Sequence, residues 1–480
     1  MVFSSLIFLF GFLTVTMGLY FAVPRRFKNL VLFVMSLLFY GWAEPFFIII
    51  MMVSVATAFF LGFLIDKYRD VYKKRARRYL VLSLSLNLVW LLFFKYLNFF
   101  IDNLSAIPFL SGLSTISEYR LPFVSEFPFK FMLPLGISFY TFQIMSYSID
   151  LYRGQTRVQE KFISFGAYVT LFPQLVAGPI VRYRDVDDML MERHETVEDF
   201  AAGARRFCAG MCKKVLLADV ADGLVNYFDT SLATEQTAVA GWMVVLCYTF
   251  RIYFDFSAYS DMAIGLGRMF GFTFLENFDY PYISGSITEF WRRWHISLSS
   301  WFREYVYIPL GGNRNGRLKQ YRNIAIVWLL TGFWHGASWN FILWGAYFMV
   351  ILMVEKAFLL KALDKAPKAV SHIYALFLIV IGWLIFYYTD TSAGLRCLGA
   401  MVGAGSFSSP VVSFAAVRAL PTLAVFAIGC TPYPKQLWHS LTSRNELGRC
   451  VNAVMPALGL VLCLGYMVAS SYSPFLYWNF

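Results

Sequence analysis

Along most of the chain, apolar runs alternate with short basic clusters, and the clusters fix the side of a membrane from which each run starts. Residues 30–43 and 45–65 are apolar, flanked by Pro24-Arg-Arg26 before them and by 67–78, with seven lysines and arginines, after them. Because cytoplasmic loops are enriched in Lys and Arg, this pair reads as a hairpin that enters and leaves on the cytoplasmic face. Residues 79–101 then cross outward, the Ser- and Pro-rich connection 102–130 lies outside, and 131–151 return to Arg153, Arg157 and Lys161. Residues 1–23 carry no basic group ahead of their apolar stretch, which predicts a first transmembrane helix with its N-terminus outside, not a cleaved signal.

After Leu151 the alternation breaks down. Residues 162–180 hold Pro173 and Ala177-Gly-Pro179, which predicts a re-entrant segment and not a plain span. Residues 182–206 are polar with a helical pattern and are expected on the cytoplasmic surface. Residues 207–227, where Lys213, Lys214, Asp219 and Asp222 interrupt apolar positions, suit an interfacial or internally buried helix. Residues 238–253 form a span that runs into Asp255-Phe-Ser-Ala-Tyr-Ser-Asp261. Downstream, 373–388, 394–417, 421–430 and 451–470 read as three or four more spans, with 432–449 as a basic inner loop. The pattern predicts an all-α polytopic membrane protein of about 11 to 13 membrane segments, several of them short, in one domain over 1–480. It shows no internal repeat of the kind that builds inverted-topology transporters.

Composition narrows this further. With 59% hydrophobic and 15% charged residues and a positive mean hydropathy, a soluble protein is excluded. The net charge of +12 falls in clusters between apolar runs, which assigns it to topology and to contact with anionic membrane lipid, not to nucleic acid. The seven cysteines contain no C-x-x-C spacing and read as small buried side chains, with no disulfide framework and no metal site.

His335 carries the strongest chemical signal. Basic clusters at Arg314, Arg317, Lys319 and Arg322 and at Lys356, Lys361, Lys365 and Lys368 both belong in the cytoplasm. About 33 residues separate Asn323 from Lys356, too few for two full crossings of roughly 20 residues each. Two short arms with a polar break near Gly336-Ala-Ser-Trp-Asn340 satisfy both constraints. His335 then lies about 12 residues, or roughly 18 Å of helix, from the cytoplasmic surface of a core about 30 Å thick. An imidazole at that depth must face protein or a water-filled cavity. Burial there favours the neutral ring, the form a general base needs. Gly332 and Gly336 beside it either let helices approach closely or leave room for a substrate.

In 287–308, read as one helix, Ile287, Trp291, Trp294, Leu298, Trp301 and Tyr305 recur at helical spacing, and His295 falls near Trp291 on that apolar face. A core histidine with a backbone partner and a functional one both fit. Arg292 and Arg293 are interface anchors or contacts to an anionic donor. Asp255 and Asp261, six apart, are not assigned as an acid/base pair by spacing; hydrogen bonds to neighbouring Ser and Tyr groups or helix capping are the favoured reading. The loop Leu310-Gly-Gly-Asn-Arg-Asn-Gly-Arg317 lacks the phosphate-binding glycine patterns, and no G-x-S-x-G is present.

The string Asn277-Phe-Asp-Tyr-Pro-Tyr-Ile-Ser-Gly-Ser-Ile-Thr-Glu-Phe-Trp-Arg-Arg-Trp-His-Ile-Ser-Leu-Ser299, followed by Leu310-Gly-Gly-Asn-Arg314 and Phe333-Trp-His-Gly336, resembles the membrane-bound O-acyltransferase family. Within it the chain is most similar to the branch that acetylates alginate, and more distantly to the D-alanyl transfer proteins of teichoic acid. The start, Met1-Val-Phe-Ser-Ser5, and Tyr253 to Gly265 fit that branch, with Ala258 where glycine is expected. The likeness covers residues 1 to about 360 and is dense from 250 to 345; the last 120 residues match only in hydrophobic character. The resemblance implies a ring of helices around a thin central funnel, His335 as the active-site histidine and His295 as the second polar position. Arg292, Arg293, Trp294, Trp334, Asn277, Asp255 and Tyr259 are the candidate substrate contacts. It also implies a cytoplasmic acyl donor, acetyl-CoA or an acyl carrier protein, with no metal or tightly bound cofactor. The acceptor would be a hydroxyl of a secreted polysaccharide or of an extracytoplasmic acetyltransferase partner, in a bacterial cytoplasmic membrane. A channel or transporter for donor or glycan, and a scaffold for a glycan synthase, are the other classes.

Overall fold

The computed structural model describes residues 2–113, 133–469 and 475. Helices account for the regular structure; among the described residues the only β pairing is two isolated bridges. Seven of these helices are long and apolar enough to cross a membrane, so the chain is a multi-pass membrane protein. Its contacts divide into two compact units, Ile7–His194, and Glu195 onward together with Val2–Leu6.

In the first unit, Arg25–Ala43 and Ile48–Arg69 form the expected hairpin, and Lys73–Ser105 runs on for 33 residues. Of the connection expected outside, 114–130 lies beyond the described residues, as do the first two residues of the return span, whose helix is Ile137–Arg153. The predicted re-entrant segment is two short helices, Phe162–Thr170 and Phe172–Leu175, broken at Leu171 and buried almost throughout. The 182–206 stretch is not one helix: it is a short turn, a five-residue helix Asp187–Met191, and a break before Thr196. Thr196 starts the next helix, its hydroxyl accepting the Asp199 N–H.

In the second unit that helix, Val197–Cys212, continues through a π-helical turn, Lys213–Ala218, into Asp219–Thr234. The sequence boundary at 207 is therefore interior to one long element. The span 238–253 is likewise only the first half of Ala238–Met269. Its carboxylates do not stop it because each has a cation: Asp255 and Asp219 both meet Lys214 Nζ at 2.8 Å, and Asp261 meets Lys213 and Arg206. Near the C-terminus the expected span 394–417 is two elements, Thr391–Met401 and Pro410–Gly429. Gly403 and Gly405 at positive φ turn the chain between them, and Ser409 caps the second. Residues expected as a loop over 432–449 include the helix Tyr433–Thr442.

The two arms argued from charge positions are Arg317–His335 and Trp339–Val354, packed as an antiparallel hairpin and separated by the break at Gly336–Ser338. Their crossing is set by two glycines. A Cβ on Gly332 would stand 2.4 Å from the Phe341 carbonyl oxygen, and one on Gly345 would stand 2.6 Å from that of Trp328. Gly336 has the Phe341 ring at 2.3 Å from the same construction, so both glycines flanking His335 serve close packing and leave no open substrate space. We therefore expect Gly332→Ala to cost about 1–3 kcal/mol through overpacking, seen as a lower melting temperature and reduced folded yield in detergent. Gly465→Ala, where nothing lies within 4 Å, is expected to be neutral or slightly stabilising.

Candidate active site

The helical periodicity over 287–308 does not produce one helix. Ile287–Arg293 ends at Trp294, which is extended, and His295 takes the left-handed conformation at φ 46 before Ile296–Phe302 begins. A non-glycine residue in that region is uncommon and is held only where its surroundings determine it. Here Asn277 and its neighbours do so. The Asp279 N–H donates to the Arg293 carbonyl and the Ile296 N–H to the Asn277 carbonyl, closing the backbone on both sides of the kink. Asn277 is 1% exposed. Its Oδ1 accepts from the Ser297 N–H at 3.2 Å and the Ser297 hydroxyl at 2.9 Å, while its Nδ2 donates to Ser260 Oγ at 3.1 Å.

This fixes the tautomer of His295. Its Nδ1 lies 3.1 Å from Asn277 Oδ1, an oxygen already oriented as an acceptor by a backbone N–H, so Nδ1 carries the proton. Nε2 is left with a lone pair and meets no hydrogen-bond partner among the described residues. His295 lies outside the seven apolar spans, and burial pushes its imidazole down to about 3, so the ring is neutral. In this form His295 accepts a hydrogen bond at Nε2 and has no proton there to donate to an oxyanion.

The other end of Ile287–Arg293 is anchored from the hairpin. The backbone N–H groups of Ile287 and Thr288 and the Thr288 hydroxyl donate to the Glu355 carboxylate at 2.7, 2.8 and 2.6 Å. Glu355 is 1% exposed and opens a π-helical turn, Glu355–Leu359. A carboxylate at a helix N-terminus satisfies its free N–H groups and complements its dipole. Sequence reasoning passed over Glu355; its only signal is a single acid closing a 16-residue apolar run next to Lys356.

His335 is the last residue of its arm, 4% exposed. Trp334, Trp344 and Phe386 stand edge-on around its ring, with centroids at 5.0, 5.0 and 5.3 Å. Trp334 touches both imidazoles, 6.0 Å from that of His295. Both histidines line one cavity of about 320 Å³, walled by Trp291, Trp294 and Trp328 and carrying Arg292, Arg303 and Lys356. A second cavity of about 780 Å³ shares Arg292, Arg303, Tyr307 and Lys356 with it and adds Arg314 and the glycine-rich loop. The polar mouth and the aromatic chamber are thus neighbours across these four residues.

Among the described residues, the cations at this mouth lack the carboxylate partners that several others in the unit have. Arg206, Arg251, Arg268 and Arg293 each pair with carboxylates. Arg292, Arg303, Arg314 and Lys356 have no ion pair or side-chain hydrogen bond among the described residues. Of the residues expected at the site, the structure brings together His295, His335, Arg292 and Trp294 on the cavity wall, with Asn277 and Trp334 directly behind them. Arg293 is drawn aside by Asp279 and Glu289. Asp255 is held by Lys214, and Tyr259 packs between Phe3 and Phe475; neither lines this cavity. Arg303, Tyr307, Lys356 and Trp291 join the site without having been singled out for it.

A model of the MBOAT, membrane-bound O-acyltransferase family, matches residues 34–391. The chain is 40% identical to the probable alginate O-acetylase AlgI of Pseudomonas putida over the whole of both chains. It is 31% identical to the peptidoglycan O-acetyltransferase of Helicobacter pylori, over all of this chain and 98% of the relative. The teichoic acid D-alanyltransferase of Streptococcus thermophilus is 29% identical over 47% of this chain and 58% of the relative. The full-length matches extend the likeness past residue 360, where the sequence alone showed only hydrophobic character.

With ¹⁵N-histidine in the full-length protein, His295 is expected to show the Nδ1-protonated neutral ring throughout about pH 5 to 8; His295→Gln assigns its signals. Asn277→Ala is expected to abolish that tautomer preference, and Asn277→Asp to preserve it. Titration of the His295 ring near its ordinary value, or an unchanged tautomer in Asn277→Ala, would refute the assignment.

Proposed function

Because the chain belongs to the membrane-bound O-acyltransferase family, we propose that it moves an acetyl group from a cytoplasmic thioester across a bacterial cytoplasmic membrane. The recipient is a hydroxyl of a secreted polysaccharide, or of an extracytoplasmic partner that passes the acetyl on. The observation that carries this reading is the aromatic chamber holding His295 and His335 behind a mouth of four unpaired cations. Relatives named as acetylases of alginate and of peptidoglycan support a polysaccharide as the final acceptor and acetyl as the group moved.

The mouth suits a donor with phosphates. Acetyl-CoA and the phosphopantetheine arm of an acyl carrier protein share a phosphorylated end and a narrow thioester arm. Arg292, Arg303, Arg314 and Lys356 would hold the former while the latter lies along the cavity wall that Trp291 and Trp328 form. At the inner end, His335 acts as general base: its neutral ring takes the proton of the incoming hydroxyl as that oxygen attacks the thioester carbonyl. The C–S bond then breaks, and the thiolate leaves with the proton returned by the histidine. His295 accepts a hydrogen bond at Nε2 from another O–H or N–H of the bound substrates and so orients them, leaving the single proton of the attacking hydroxyl to His335; Asn277 keeps the His295 proton on the far nitrogen.

His335→Gln is expected to lower transfer by about 10²–10⁴-fold at equal membrane levels, measured as O-acetyl ester on extracellular glycans and as acetyl-CoA or acetyl-carrier-protein cleavage by the purified protein. Unchanged ester on every glycan would end the assignment of His335, and an intact thioester with continued glycan export would favour transport. Arg292→Gln combined with Lys356→Gln is expected to raise the donor KM by roughly tenfold or more with a smaller effect on kcat.

A further inference from the structure

The first unit contains a second strongly basic cavity that the transfer reaction does not use. About 640 Å³ in volume, it is lined by Arg25, Arg26, Lys28, Lys161 and Arg193, and no carboxylate is among its lining residues. We propose that this cavity binds the headgroup of an anionic glycerophospholipid from the cytoplasmic leaflet.

The floor is built and fixed. Arg193, 8% exposed, donates from Nε to the Tyr20 hydroxyl at 2.9 Å and from Nη1 to Asn29 Oδ1 at 2.7 Å. Asn29 Nδ2 donates in turn to Ser164 Oγ at 3.0 Å and the Leu190 carbonyl at 2.9 Å, tying together the three segments that line the cavity. The helices Arg25–Ala43 and Phe162–Thr170 pack closely, since a Cβ on Gly166 would stand 2.6 Å from the Phe33 ring. Both begin at this cavity, and neither has a side-chain cap for its first N–H groups, so two positive dipole ends add to the five cations.

The rim is incompletely neutralised. Arg25 has an ion pair with Glu192, itself 70% exposed. Arg26 lies over the Phe27 ring, and neither it nor Lys161 has an ion pair or side-chain hydrogen bond among the described residues. Beside these cations Phe27, Ile163 and Met191 are exposed. Charge complementarity calls for a phosphate, and the apolar rim on a membrane-spanning unit calls for one that arrives on acyl chains. Basic pockets at the cytoplasmic ends of transmembrane helices recognise anionic headgroups on this principle. The concave shape is unlike the broad face an acidic protein would require.

The test uses the purified full-length chain in phosphatidylcholine nanodiscs with phosphatidylglycerol titrated in, retained lipid being identified by native mass spectrometry. The wild type is expected to keep phosphatidylglycerol in preference to phosphatidylcholine. Arg26→Gln with Lys161→Gln is expected to weaken that binding about thirtyfold, the loss expected for two cations at an anionic surface. The charge-conserving Arg26→Lys with Lys161→Arg is expected to retain it, and Lys73→Gln with Lys74→Gln, in a different basic cluster, to leave it unchanged. Equal melting temperatures of all variants in phosphatidylcholine alone establish that they fold. The proposal fails if the wild type shows no preference or if the Lys73 and Lys74 changes weaken binding as much. It also fails if sn-glycerol 3-phosphate binds as well as the intact lipid, or if the Arg26 and Lys161 changes release an acidic carrier protein while leaving lipid binding intact.

Discussion

A helix broken inside a membrane protein persists only where other parts of the chain take over the hydrogen bonds it has given up. The kink at Trp294 and His295 meets that requirement through Asn277, which receives the Ile296 N–H on its carbonyl and the Ser297 N–H on its side chain. Asp279 closes the other side of the kink, and Glu355 closes the far end of the same short helix. The placement of His295 in the chamber follows from this arrangement. Without the break His295 would sit on a helix face among tryptophans; with it, the imidazole is presented by a strained turn whose partners also set its protonation.

The two histidines are held by opposite means. His295 is fixed by polar contacts that specify one tautomer, whereas His335 is surrounded by ring edges at the end of a helix. The hairpin beneath His335 is fixed by backbone contact across Gly332 and Gly345, so its depth is a property of main-chain packing. One site thus joins a residue whose chemistry is set locally to one whose position is set by topology.

How much of this was legible in the sequence depends on range. The hairpin and the break after His335 followed from the spacing of two basic clusters, because membrane thickness turns charge positions into lengths. The first-unit hairpin followed for the same reason, and the short buried helices around Pro173 followed from the helix breakers within them. The kink at His295 did not, because the apolar period from Ile287 to Tyr305 continues across it while its cause lies about 17 residues upstream, at Asn277. Glu355 was hidden in the same way: it caps a helix more than 60 residues earlier in the chain. Within 394–417, hydrophobicity masked a turn that Gly403 and Gly405 require. Local composition names the elements, and long-range hydrogen bonds decide where they stop.

The indoles that wall the chamber have a consequence of a different kind. Trp291, Trp328, Trp344 and Phe348 pack edge to face or tilted, with centroids between 4.8 and 5.9 Å, a rigid surface that offers water few partners. A thioester carbonyl within such walls is shielded from hydrolysis, the reaction that competes with every transfer of an activated acyl group. On the proposed function, these packed rings act as a guard on the cell's supply of activated acyl groups: the donor would be opened by an alcohol that has reached the inner end, and seldom by solvent.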